Sequence, residues 1–194
     1  MSQYNPEKIK VVNLFGAPGV GKSTIAAGLF YFMKMSGMSV EHVTEYAKYL
    51  VLTGRVSQLE NEQLYLLAKQ HHKQHILRGQ YEWAITDSPL LLCAYYAPSA
   101  TTPPKFGELV HQYNDSFDNY NVFLTRGLEK EETSFEEQGR LQGKVDALRI
   151  QNEQIEFLTE AGVPFQTLEI GGEDTARVLM KMVLEEATKR AAQN

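Results

Sequence analysis

Gly16-Ala17-Pro18-Gly19-Val20-Gly21-Lys22-Ser23 is the stretch whose reading decides the fold. It satisfies the phosphate-binding pattern G-x-x-x-x-G-K-[ST] at every fixed position. Before it, Ile9 to Phe15 is short, apolar and β-branched, which predicts a buried strand. After it, Thr24 to Ser36 carries Ile25, Leu29, Phe32 and Met33 at helical spacing, which predicts a helix. Strand, glycine loop and helix give the pattern a mechanism. Backbone N–H groups of Gly16, Ala17, Gly19, Val20, Gly21, Lys22, Ser23 and Thr24, with the positive end of the helix, would surround a polyphosphate. Lys22 would reach the β- and γ-phosphates and the Ser23 hydroxyl would ligate Mg²⁺. The expected ligand is a nucleoside triphosphate, ATP, with Mg²⁺.

At 194 residues, the chain is long enough for one domain with a proper core and a small lid. Its 43% hydrophobic and 22% charged residues are those of an ordinary water-soluble globular protein. A formal net charge of -5 speaks against a large nucleic-acid footprint. Cys93 is the single cysteine, so no internal disulfide forms, and its apolar neighbours predict a buried, inert thiol in a reducing cytoplasm. Met1 to Lys8 is polar, and no stretch approaches membrane-spanning length. The expected location is the cytoplasm, away from membranes.

Downstream, strand and helix patterns keep alternating. Ser39–Thr44 reads as a second strand, Glu45–Leu52 as a helix ending near Gly54, and Ser57–Arg78 as one long helix with Ser57 and Glu60 as a capping box. Trp83–Asp87 is a third strand ending in an acid, Phe106–Phe117 a helix, and Asn121–Thr125 a fourth strand. Gly127–Gln138 is polar and acidic. A helix then runs to about Ala161 with Leu141, Val145, Leu148, Ile155 and Leu158 as its apolar stripe. Val163–Ile170 is a fifth strand and Glu173 to about Ala191 a closing helix. The expectation is an α/β fold with three layers, a five-stranded parallel sheet and a helical lid over roughly 127–145, all in one domain spanning 1–194.

Ligands of such sheets lie beyond the carboxyl ends of the strands. That rule singles out Glu45, Asp87 and Arg126, each at or just after a strand's end. Asp87 is expected to hold Mg²⁺ with Ser23, directly or through water. Glu45 could take the proton of an attacking hydroxyl, with Asp87 as the alternative base. Arg126 or Arg140 would neutralise charge on the migrating phosphoryl group. Gln63 and Gln70 share one face of the long helix with Leu66 and Leu67, and their amides could read a nucleobase or ring amide. The competing readings are structural: a turn-initiating Asp, a helix-start Glu favoured by the dipole, and polar residues at the edge of a core helix. His71, His72 and His75 include an i, i+4 pair, but no second cluster completes a metal site.

The phosphate loop, Val43-Thr44-Glu45-Tyr46-Ala47, Thr86-Asp87-Ser88-Pro89 and the arginine-bearing segment together resemble small P-loop nucleoside and nucleotide kinases. Within them the chain is similar to AAA_28-type ATP-binding proteins, a group that includes the ribosylnicotinamide kinase domain of bacterial NAD-biosynthesis regulators and some phage members. The resemblance spans about Ile9 to Ala187. It implies a parallel five-stranded core, ATP and Mg²⁺, and transfer of the γ-phosphoryl to a hydroxyl or phosphate. By position, Glu45 falls where deoxynucleoside kinases keep the glutamate that contacts the sugar hydroxyl, and Asp87 falls at their third-strand acid. Those kinases follow that acid with an arginine, whereas this chain has Ser88. A regulatory GTPase fits less well, because Asp87 is followed by Ser-Pro-Leu and Lys144-Val145-Asp146 lies inside a predicted helix. A motor ATPase would need an Asp-Glu pair at the third strand.

Three readings compete. The first is a kinase for a small nucleoside- or nucleotide-like acceptor. The second is a kinase for hydroxyls of a polynucleotide, including modified DNA. The third is an ATP-binding switch with no acceptor. The oligomeric state stays open, a homodimer included.

Overall fold

β1 (Lys10–Phe15) is the central strand of the protein, seen in a computed structural model that describes residues 8–100, 102–126, 144–171 and 174–192. Its companions are β2 (Val40–Val43), β3 (Trp83–Thr86), β4 (Asp118–Arg126) and β5 (Gln166–Ile170). They form one sheet in the order β2-β3-β1-β4-β5, and each pairing is parallel. The helices are α1 (Lys22–Met35), α2 (Tyr46–Leu52), α3 (Val56–Asn61), α4 (Gln63–His75), α5 (Leu91–Tyr95), α6 (Phe106–Asn114), α7 (Lys144–Glu160) and α8 (Thr175–Ala191).

The alternation of side chains along β1 builds the layers. Val12 and Leu14 face Ile25, Leu29 and Met33 of α1 and Leu179 and Val183 of α8. Val11 and Phe15 face the opposite way, into a core shared with Leu50, Leu66, Leu67, Leu91, Val110 and Leu158 from α2, α4, α5, α6 and α7. The connection β1→β2 steps over β3 in one direction, and every later connection steps the other way. Right-handed crossovers therefore put α1 on one face and α2–α7 on the other. The reversal happens at β1, so the crevice at a topological switch point opens beside the glycine loop. α1 and α8 pack closely because residue 28 is glycine: a Cβ there would lie 2.8 Å from the Ala176 Cβ.

The parallel five-stranded α/β fold matches the sequence expectation, with three local corrections. The predicted helix 57–78 is two helices, since Glu62 takes φ −121°, ψ 55° between α3 and α4. Ser57 is therefore inside α3 rather than at its cap, and Arg55 precedes the helix. The Gln63 side chain bridges the break, its Nε2 donating to the Leu59 carbonyl at 2.8 Å in place of a backbone amide. Second, β4 begins at Asp118, three residues early, because a buried asparagine ladder extends it. Asn13 Nδ2 donates to the Asn119 and Asn121 Oδ1 atoms at 2.8 and 3.0 Å, and Asn121 Nδ2 donates to the Pro164 carbonyl. Third, the inner stripe of α7 is Ile150, Gln154 and Leu158, while Leu148 is 63% exposed. The buried polar Gln154 masked the register. Arg140 and all but the end of the expected lid lie outside the described residues.

Candidate active site

The glycine loop is shaped by backbone conformations that a side chain resists. Gly16 has φ 137°, and a Cβ there would meet the Leu124 carbonyl oxygen at 2.6 Å, so the loop can leave β1 against β4 only as glycine. Gly21 has φ 101° and caps α1 without any side-chain hydrogen bond, and no acidic residue occupies the first turn. The first N–H groups of α1 thus face the loop with no carboxylate of their own, which suits an incoming anion. Lys22 folds over the loop, its Nζ donating to the carbonyls of Gly16 and Ala17 at 2.7 and 3.1 Å. Arg126, at the end of the neighbouring β4, donates from Nη2 to the Gly19 carbonyl. Two of the predicted cations therefore already engage the loop.

On the other side of the loop, Asp87 follows β3 and is only 4% exposed. Ser23 Oγ donates to its Oδ2 at 2.5 Å, and its Oδ1 is buried with no hydrogen-bond partner. An orphaned carboxylate oxygen beside the loop serine is the donor set Mg²⁺ uses in such sites. That ion takes one or two protein oxygens and completes its shell with water and phosphate. Ser23 and Asp87 fit it. Among the described residues no cluster of three or more His, Cys, Asp or Glu side chains could hold a metal by itself.

Glu45 precedes α2 with φ −59°, ψ 124°, at the carboxyl end of β2. Only β3 separates β2 from β1, so Glu45 leaves its strand about 10 Å from the loop's strand, two strand spacings away. Its charge is felt at Tyr96. That tyrosine is 38% exposed, but its hydroxyl accepts a hydrogen bond from Gln154 Nε2 at 3.2 Å. Desolvation, with a smaller push from Glu45, drives the Tyr96 pKa up to about 12. Tyr95 donates to Glu153 at 2.9 Å, and the pair Tyr95–Tyr96 ties α5 to α7 across the rim.

The two predicted amides are both buried on α4 but in different positions. Gln63 serves the helix break. Gln70 Nε2 donates to Thr86 Oγ1 at 3.1 Å and its Oε1 accepts from the Tyr46 N–H at 3.3 Å, so each end of the amide has a protein partner. Sequence reasoning missed Lys73, one turn further along, whose Nζ donates to the Thr44 carbonyl at 2.9 Å. That bond holds the ammonium at the end of β2, and burial lowers its pKa, an effect the negative charge of Asp87 opposes. Its i+3 spacing from Gln70 was the available signal. Gln154 was also missed, because a polar residue in an apolar stripe reads as a break in the pattern. Its Oε1 is buried without a partner.

A separate groove lies away from this rim. It holds about 350 Å³ between α4 and α6, lined by Leu64, Leu67, His71, His75, Leu109 and Tyr113. Positions two apart on a helix point about 200° apart, so His71 and His75 lie on the side of α4 opposite Lys73. No residue of the glycine loop reaches that groove. Cys93 is buried as expected, its thiol pushed up to about 12 by desolvation.

Comparison with known proteins bears on the family and the fold. The AAA domain model AAA_28 matches residues 11–175. A crystal structure of NadR protein in complex with NR superposes with a TM-score of 0.59 at 14% identity, covering 91% of this chain and 51% of that one. The chain thus spans about half of NadR. Thymidylate kinase from Ehrlichia chaffeensis superposes with a TM-score of 0.53 at 12% identity, covering 92% of this chain and 99% of that one. These likenesses establish a P-loop kinase-like fold. No curated protein matches the sequence.

Proposed function

Since the chain belongs to the AAA_28 family of AAA-domain proteins, we propose that it is an ATP-dependent phosphotransferase. It would move the γ-phosphoryl of ATP to a small nucleoside- or nucleotide-like acceptor. One observation carries this reading over that of a plain ATP binder: Glu45 follows β2, whose neighbour β3 leads into Asp87 and whose next neighbour β1 leads into the phosphate loop and Ser23. A hydroxyl held between them would have a base on one side and the phosphate loop on the other.

In this reading the loop amides and Lys22 hold the triphosphate, and Ser23 and Asp87 hold Mg²⁺, which when bound neutralises phosphate charge. Glu45 takes the proton from the acceptor hydroxyl as its oxygen bonds to the γ-phosphorus; Asp87 is the alternative base. The bond from that phosphorus to the β-bridging oxygen breaks, and ADP leaves. Arg126 moves from the Gly19 carbonyl toward the migrating group, and Arg140 is the second arginine for that role. Gln70 supports the acceptor side through the backbone that flanks Glu45, whereas Gln63 is committed to the α3–α4 break. Little covalent chemistry falls to the protein; positioning and electrostatics supply the rate. Among the described residues no helix is long and apolar enough to cross a membrane.

The test is ADP release by purified protein with Mg·ATP against a panel of nucleosides, nucleoside monophosphates and a short oligonucleotide. The expectation is stimulation by a monomeric acceptor that Glu45→Gln abolishes. Stimulation by the oligonucleotide alone would move the reading to polynucleotide kinases. No stimulation by any member would leave only the ATP-binding switch.

A further inference from the structure

α4 holds both acids of the rim through their neighbours. Lys73 donates to the Thr44 carbonyl, before Glu45, and Gln70 accepts from the Tyr46 N–H, after it. The other end of the same Gln70 amide donates to Thr86 Oγ1, the residue before Asp87. Thr86 Oγ1 also accepts from the Ser88 N–H at 3.1 Å, so it closes the turn that follows Asp87 as well. Glu45 and Asp87 are thus each bracketed, and Gln70 is common to both brackets. Gln70 is 3% exposed and Thr86 fully buried, so these bonds face little competition from water. Among the described residues Lys73 has no carboxylate within ion-pairing distance; its hydrogen bonds go to Thr44, and its ammonium lies 5.7 Å from the centre of the Tyr46 ring.

We infer that Gln70 and Lys73 form a clamp on α4 that sets the spacing and orientation of Glu45 relative to Asp87, making them positioning residues for phosphoryl transfer. The inference rests on the proposed function for its effect on rate, but not for the clamp itself. Positioning is where such residues matter: a shift of about 1 Å at the reacting groups costs about 100-fold in rate. It also gives Gln70 a role different from that of reading a base, since its amide is already engaged at both ends.

The experiment compares wild type with Gln70→Leu, Thr86→Val, Lys73→Met and Lys73→Arg, and with Lys69→Ala, an exposed residue of the same helix, as control. Hydrogen exchange at the Tyr46 and Ser88 amides reads the clamp directly. Exchange at Tyr46 should be about 10-fold faster in Gln70→Leu, and at Ser88 about 10-fold faster in Thr86→Val. With an acceptor identified from the panel, kcat should fall about 10- to 100-fold in Gln70→Leu and Lys73→Met. ATP affinity should stay within about twofold, as these residues do not touch the loop, and Lys73→Arg should recover part of the loss. Thr86→Val keeps the buried volume and tests the clamp even where Gln70→Leu folds poorly. Unchanged Tyr46 exchange in Gln70→Leu would overturn the clamp. Released amides with unchanged kcat, or loss of ATP affinity in step with kcat, would overturn its role in positioning. If wild type turns over no acceptor, the proposed function fails first, and the exchange data alone then judge the clamp.

Discussion

Replacing Asp87 by asparagine should make the ligand-free protein more stable and the enzyme nearly inactive. The carboxylate is buried, one oxygen is bonded to Ser23, and the other has no partner. Leaving such an oxygen buried costs about 1–3 kcal/mol, and the Lys73 ammonium on the same rim offsets only part of it. Asparagine keeps the shape and one hydrogen bond to Ser23 while removing the charge. The expected gain is about 1 kcal/mol, or about 2–4 °C in Tm for a domain of this size. Adding Mg·ATP at about a hundredfold excess over Kd should stabilise wild type by about 2.7 kcal/mol. The variant should lose the part of that shift which depends on Mg²⁺. Its kcat should fall by at least about 10³-fold, about 4 kcal/mol in the barrier. Differential scanning fluorimetry with ATP in EDTA and ATP in Mg²⁺ reads all but the last quantity, and ADP release reads that. An Asp87→Asn protein that is less stable without ligand and still gains the full Mg²⁺-dependent shift would refute the reasoning, because Asp87 would then be a structural acid.

Three further outcomes follow from single features. Gly16→Ala should cost at least about 3 kcal/mol, from a strained φ of 137° and a 2.6 Å approach to the Leu124 carbonyl, and should abolish ATP binding; urea denaturation and nucleotide titration check it. Asn13→Ala removes the donor of the asparagine ladder and should lower stability by about 2–3 kcal/mol in urea, with ATP affinity unchanged. His71 is lowered to about 4 by burial and by the positive charges of His75, Arg78 and His72, against about 6.5 when unfolded. The unfolded chain therefore binds more protons between those values, so this contribution is complete above pH 6.5 and is lost as pH falls toward 4. His71→Gln should flatten the stability profile in that window, and an unchanged slope would show that His71 is not the group responsible.

The sequence was most legible where local chemistry and backbone geometry coincide. Gly16, Gly21, Lys22 and Ser23 occupy fixed places because a loop that wraps phosphate demands those residue types. The five-stranded parallel sheet followed from the alternation of strand and helix patterns, whereas the strand order came only with the folded chain. What escaped reading was set by partners distant in sequence. Asn119 resembles a loop residue until Asn13, 106 positions away, satisfies it inside the sheet. Glu62 breaks a helix whose apolar periodicity runs straight through it, because the Gln63 side chain can replace a backbone donor. Lys73 reads as an ordinary surface lysine until β2 brings the Thr44 carbonyl to it. Gln70 was recognised as an amide in an apolar stripe, but its partners, Tyr46 and Thr86, could be known only from the folded chain.

The most direct measurement is transfer of labelled γ-phosphate from ATP to an isolated acceptor, compared between wild type and Glu45→Gln at equal ATP occupancy. Phosphoryl transfer with Glu45 as the base predicts a labelled monomeric nucleoside or nucleotide product with wild type, a loss of at least about 100-fold with Glu45→Gln, and unchanged ATP affinity. Equal product formation by the two proteins, or label appearing only as inorganic phosphate, would contradict it.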